Sequence, residues 1–133
     1  MIVDVEIFLR LLVASLLGGI IGLERKSFHK AAGIRTHMLI AMGAALFTIL
    51  GTTSFSDPSR IVAGLVTGIG FLGAGAIFRS ESHVKGLTTA ASMWAVAAIG
   101  LSIGIGEYLL GAAAAVIVIL ILQLYRINFL REL

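Results

Sequence analysis

Five apolar runs constrain this chain more than any other feature. They cover residues 7–23, 37–55, 61–78, 87–105 and 107–125, each 17–19 residues long, and only Arg10 interrupts the first. A helix crossing a bilayer core needs about 20 residues, so each run has the length of one span. Ala, Leu and Ile dominate, as suits helices, and the ten-residue alternation of β-barrel strands is missing. The fold expected is an all-α membrane protein: one domain over residues 1–133, a bundle of five transmembrane helices, with no soluble C-terminal domain.

Composition removes the competing classes. Hydrophobic residues make up 59% and charged residues 13%, with a mean hydropathy of +1.07. Soluble domains carry about 25% charged residues, so a soluble enzyme is excluded, and disordered chains are more polar still. With no cysteine, disulfides and thiolate-bound zinc are excluded. The pI near 9.8 reflects a net charge of only +3, and the basic residues are scattered, so nucleic acid is not an expected partner. Asp4 and Glu6 stand where a signal peptide would be basic, so the first run reads as a retained helix.

Basic residues also set an orientation. Arg25, Lys26, Lys30, Arg35, Arg79, Lys85, Arg126 and Arg131 fall on one side of the five spans, leaving Arg10 and Arg60 for the other. The positive-inside rule then places the N-terminus outside and the C-terminus in the cytoplasm. Asp4, Glu6, Asp57 and Glu107 fall outside, and Glu24, Glu81 and Glu132 inside.

Local signals refine the helices. Asp57 followed by Pro58 predicts a capped helix start. Glu6 and Arg10 lie four apart in the favourable order for a helical ion pair, and Arg10 can alternatively snorkel to the outer interface. Trp94 lies mid-run and is expected to pack between helices. Glycines recur four apart at Gly18/Gly22, Gly64/Gly68 and Gly100/Gly104, followed in the third run by Gly70, Gly73 and Gly75. Small residues at that spacing let helices approach closely; the same glycines can instead line a locally unwound path. Gly68-Ile69-Gly70-Phe71-Leu72-Gly73 matches a dinucleotide fingerprint, but it lies inside an apolar span rather than after a strand.

These residues carry a resemblance. Gly18-Gly19-Ile20-Ile21-Gly22-Leu23-Glu24-Arg25 is followed by Ala32-Gly33-Ile34-Arg35-Thr36-His37. Then come Arg60-Ile61-Val62-Ala63, Thr67-Gly68-Ile69-Gly70-Phe71-Leu72-Gly73-Ala74-Gly75 and Gly86-Leu87-Thr88-Thr89-Ala90-Ala91-Ser92-Met93-Trp94. In this order, over about residues 9–108, they closely resemble the MgtC/SapB family of bacterial inner-membrane proteins. The resemblance implies a five-helix inner-membrane domain tied to magnesium homeostasis or stress. Family members are described both as magnesium transporters and as regulators of the F-type ATP synthase. The chain departs from the pattern in having Gly64 where many members have Gln. Ala95 follows Trp94 where some have Cys, and the sequence stops at Leu133, where many members continue into a soluble domain.

Ionisable groups at membrane edges are the candidates for function. Glu24, Arg25, Arg35, Arg79, Lys85, Thr88 and Thr89 are expected to form a polar cluster at the cytoplasmic face. It would act as an inner gate or docking site, or serve only as orientation charges and caps. Asp57 and Glu107 are the candidate Mg²⁺ ligands outside, since magnesium takes oxygen ligands, with helix capping as the plain alternative for Asp57. His29, His37 and His83 are expected at the cytoplasmic interface. No run contains two deep acids, which speaks against ion-coupled pumping, and no nucleophile arrangement survives the topology, so no enzyme is expected. Two functions follow. In one, the protein regulates another membrane complex, with the Gly18/Gly22 or Gly100/Gly104 face exposed as the contact. In the other, it is a Mg²⁺ transporter or channel lined by Thr67, Thr88, Thr89 and the glycine-rich helix. In both, the lipid bilayer surrounds a homo-oligomer, with a dimer favoured.

Overall fold

The computed structural model describes residues 2–126, with side chains from Val5 onward. Arg131, Glu132 and the Asp4 side chain, used above for orientation, lie outside the described residues. Five helices follow one another: α1 (Ile2–Ser27), α2 (Ile34–Ser54), α3 (Pro58–Gly75), α4 (Leu87–Gly104) and α5 (Tyr108–Gln123), the last closing in a 3₁₀ turn at Leu124–Arg126. All five are long and apolar enough to cross a membrane. The expected spans are therefore present, with shifted ends. The first two start earlier than the apolar runs. The third starts at Pro58, because Asp57 accepts from the Ser59 amide at 3.1 Å, and the Ser59 hydroxyl also donates to it.

Run three was expected to continue to Phe78, but its helix ends at Gly75. Phe78–Arg79 (β1) pairs antiparallel with Val84–Lys85 (β2), in the register Phe78 with Lys85 and Arg79 with Val84. Apolar Ile77 and Phe78 extend the run in hydropathy but not in backbone. Gly86, at φ +92°, returns the chain to α4; a Cβ there would strike the Ala76 carbonyl, so this turn needs glycine.

The helices form three layers. α2 and α4 occupy the centre and pack on each other; α1 lies against both, with α5 beside it against α4; α3 lies on the other side of the central pair. Between them is a filled interior of Ala14, Ile21, Ala41, Ala45, Val96, Ile99 and Ile103. Helices embedded in lipid gain little from the hydrophobic effect on association, so close packing must hold them. Four glycines supply the closeness. A Cβ on Gly18 would strike the His37 carbonyl, and one on Gly22 would come within 2.6 Å of the Ile34 Cα. On α4, a Cβ on Gly100 would strike the Ala41 carbonyl, and one on Gly104 would reach the Ala45 carbonyl and the Thr48 Cβ at 2.8 Å. The two glycine pairs thus pack helices within the chain, at the α1–α2 and α2–α4 crossings, as the close-approach reading expects, and neither is exposed as the partner contact that the regulatory reading offered.

α3 behaves differently. Among the described residues nothing lies within 4 Å of where a Cβ on Gly64, Gly68, Gly70 or Gly75 would stand, and of the α3 glycines only Gly73 meets a neighbour, Ala90 at 3.5 Å. Ile69 and Gly73 are its only buried residues among those described, and Phe71 is 81% exposed. Trp94, expected between helices, is half exposed and borders a small groove between α3 and α4 together with Leu65, Val66 and Ile69.

Candidate functional site

The polar residues gather at the two ends of the bundle. One end carries the α1–α2 loop, the hairpin and most of the basic residues; it is called the basic end below. There α1 and α2 reach past their apolar runs, so polar side chains enter the packed region.

Arg25, in the last turn of α1, is 3% exposed. Its guanidinium makes two bonds to the carboxylate of Glu24, Nε to Oε2 at 2.6 Å and Nη2 to Oε1 at 3.0 Å, and the Glu24 side chain is 9% exposed. Such a bidentate pair compensates both desolvated charges, which an isolated buried charge would not be. The pair lies within electrostatic reach of His37. His37 is wholly buried, not interfacial as expected. Its Nδ1 bonds the Gly33 carbonyl at 2.9 Å and its Nε2 bonds Ser92 Oγ at 3.0 Å. Ser92 in turn donates to the Thr89 carbonyl at 2.8 Å. A polar chain therefore links α2 to α4 beside the end of α1.

The remaining members of the expected polar cluster separate. Thr89 is buried, whereas Thr88 is exposed one position earlier. Arg35 is exposed beside Lys26 and Thr36 in a shallow recess. Arg79 and Lys85 lie exposed on the hairpin, and of these Lys85 borders a cavity shared with His29, Lys30 and Thr89. Phe28 stacks edge-on against Tyr125, whose ring Lys30 also covers at 5.1 Å, and Arg126 covers Phe28 at 5.2 Å. Those contacts tie the end of α5 to the α1–α2 loop.

At the opposite end, Glu6 and Arg10 form the expected ion pair at 2.9 Å. Sequence reasoning missed its partners: Arg10 Nη1 donates to the Gly104 carbonyl at 2.8 Å, and the Tyr108 hydroxyl donates to Glu6 Oε1 at 2.8 Å. One cation and one acid thus clasp α1, the C-terminus of α4 and the N-terminus of α5, and Arg10 is placed where the α4 dipole favours a positive charge. Asp57 is used in its cap, and Glu107 stands exposed before α5 without a capping bond. Among the described residues no three His, Cys, Asp or Glu side chains converge as a metal site.

Comparison with known proteins agrees with this architecture. The family model described as "MgtC family" matches residues 11–128. The chain is 45% identical over 130 residues to "Putative magnesium transporter YhiD" of Escherichia coli (strain K12), covering 90% of this chain and 60% of that protein. It is 48% identical over 112 residues to "Protein MgtC" of Salmonella typhimurium (strain LT2), covering 84% and 48%. "Protein MgtC" of Brucella abortus (strain 2308) is 46% identical over 115 residues, covering 85% and 48%. The chain spans about half to three-fifths of the length of these relatives. No solved structure matches it. A family model covering almost every described residue, on five membrane-spanning helices, makes this chain a multi-pass membrane protein that belongs to the MgtC family.

Proposed function

We propose that this chain is a magnesium-linked regulator in the bacterial inner membrane, docking on a transmembrane helix of another membrane complex through the open glycine face of α3. The observation that carries the reading is the contrast among glycines: the places a Cβ would take on Gly18, Gly22, Gly100 and Gly104 are filled by neighbouring backbone, while Gly64 and Gly68 face space open among the described residues at membrane depth. They border a cavity of about 470 Å³ with Phe47, Leu65, Ile69 and Leu72. A helix with small residues of its own fits such a face at close range. The F-type ATP synthase, named by the family resemblance, is one complex of this kind. The reading requires no catalysis, and it places the basic end in the cytoplasm by the positive-inside rule.

α1 presents a separate ridge of Leu9, Leu12, Leu16, Ile20 and Leu23, all exposed. A homodimer built on that ridge leaves both α3 faces free. The alternative is Mg²⁺ transport, and the packed centre of Ile21, Ala41, Val96 and Ile99 counts against a lengthwise path within one chain.

The two are separated by Mg²⁺ flux into liposomes containing the protein, measured with a trapped indicator, beside growth in low magnesium of a strain lacking the gene. The regulatory reading expects no flux above empty liposomes, rescue of growth by the wild type, and loss of rescue in Gly64→Leu/Gly68→Leu. Saturable flux lost in Glu24→Gln or Asp57→Asn overturns it.

A further inference from the structure

The cavity at the basic end has a chemistry of its own. It measures about 550 Å³ and is bordered by His29 and Lys30 from the α1–α2 loop, Phe78 and Lys85 from the hairpin, and Gly86 and Thr89 from the start of α4. Among the described residues no carboxylate borders it.

Three features converge there. The first is the N-terminus of an 18-residue helix. Gly86 provides no side-chain cap, the first turn holds no acid, and the first intrahelical bond runs from the Ala90 amide to the Gly86 carbonyl at 2.8 Å. The amides before Ala90 are therefore open to an acceptor, at the positive end of the helix dipole. The second is Thr89. Its residue is 4% exposed, yet its hydroxyl has no hydrogen-bond partner among the described residues. Among the described residues no side-chain oxygen sealed from solvent lacks a partner, so the Thr89 hydroxyl is not sealed, and the cavity is the opening that Thr89 borders. A hydroxyl nearly enclosed by protein and without a partner is costly unless a ligand satisfies it. The third is charge: Lys85 and Lys30 stand at the rim, Lys30 also lying over the Tyr125 ring.

Amides at a helix start, an inward hydroxyl and ammonium groups at the rim are the donors that a phosphoryl oxyanion requires. We propose that this cavity binds a phosphoryl group, with its oxygens on the α4 amides and the Thr89 hydroxyl, and Lys85 and Lys30 neutralising its charge. The group is either a free phosphate or the headgroup of an anionic lipid, since the cavity lies at the end of the spans where headgroups gather. The proposal does not depend on the docking role of α3.

The test uses the full chain in phosphatidylcholine nanodiscs. In one arm inorganic phosphate is titrated and followed by calorimetry, with chloride at matched ionic strength as the control. In the other, nanodiscs carrying a minor fraction of phosphatidic acid are examined by native mass spectrometry for retained lipid. We expect saturable binding in at least one arm, weakened about tenfold or more by Thr89→Val, the cost of losing one charge-assisted hydrogen bond. Thr89→Ser retains binding. Lys85→Gln, on an exposed residue and therefore neutral for folding, weakens it as well. Binding in the phosphate arm identifies a free oxyanion; binding only in the lipid arm identifies a headgroup. No saturable binding in either arm, or binding unchanged in Lys85→Gln and in folded Thr89→Val, overturns the proposal.

Discussion

The glycine pairs Gly18/Gly22 of α1 and Gly100/Gly104 of α4 and the pair Gly64/Gly68 of α3 share one spacing and have opposite surroundings. Gly18, Gly22, Gly100 and Gly104 have the backbone of α2 where a side chain would stand; Gly64, Gly68, Gly70 and Gly75 have nothing. In the first set the absence of a Cβ is a packing requirement of the chain itself, because it lets α1 and α4 close on α2. In the second set it is not required by anything within the chain, and it leaves a smooth strip on an outer helix beside exposed Phe47 and Phe71. A four-residue glycine spacing therefore marks a helix able to approach another closely, and the three-dimensional structure decides whether that other helix belongs to the same molecule.

The contrast can be broken most forcefully at Gly100. Gly100→Leu drives a side chain into the Ala41 backbone, which cannot rotate away as a flexible side chain would. We expect a loss of more than about 3 kcal/mol, beyond the usual cost of overpacking, read by unfolding in detergent micelles. A folded variant of unchanged stability would show that the α2–α4 crossing is loose. Next in size is Arg25→Met, which strands the nearly enclosed Glu24 carboxylate at the basic end of the closed region. Removing one partner of a buried pair costs about 3 kcal/mol, and adding Glu24→Gln should restore most of it. If the single variant is as stable as the wild type, water reaches Glu24 and that end is open.

Ser92→Ala probes the closed region more gently. It removes the hydroxyl that joins His37 on α2 to α4, at an expected cost of about 1 kcal/mol. Smallest, and opposite in sign, is Gly68→Ala. Its Cβ meets nothing, and alanine is the better helix former by up to about 1 kcal/mol, so stability is unchanged or slightly raised. A clear loss at Gly68 would mean that α3 packs inward.

Much of the architecture was legible before the structure. Run lengths gave five spans, Asp57-Pro58 gave the start of α3, and the spacing of Glu6 and Arg10 gave their ion pair, because each is a local property of one helix. What depends on contacts between helices was not legible. Hydropathy cannot say which face of α4 meets α2, so the sequence leaves open whether the Gly100/Gly104 face packs inside the chain or meets a partner, and it does not show that Trp94 is half exposed. His37 looked interfacial because its partner, Ser92, lies 55 residues away in sequence. The clasp of Arg10 on the Gly104 carbonyl is equally distant, and a backbone acceptor leaves no trace in side-chain pattern. The hairpin was hidden because Ile77 and Phe78 prolong an apolar run that the backbone leaves at Gly75. Within the candidate site, the residue types at the basic end were visible and their separation was not: Arg25 and Thr89 are enclosed, while Arg35, Arg79 and Thr88 face outward.

The most direct test of the docking account places a photo-crosslinking amino acid at Gly68 in cells, with one at exposed Leu109 on α5 as the control. The account predicts a discrete adduct from Gly68, not from Leu109, identified by mass spectrometry as a subunit of an integral membrane complex and abolished by Gly64→Leu. Adducts with lipid alone at Gly68, from correctly folded protein, would contradict it.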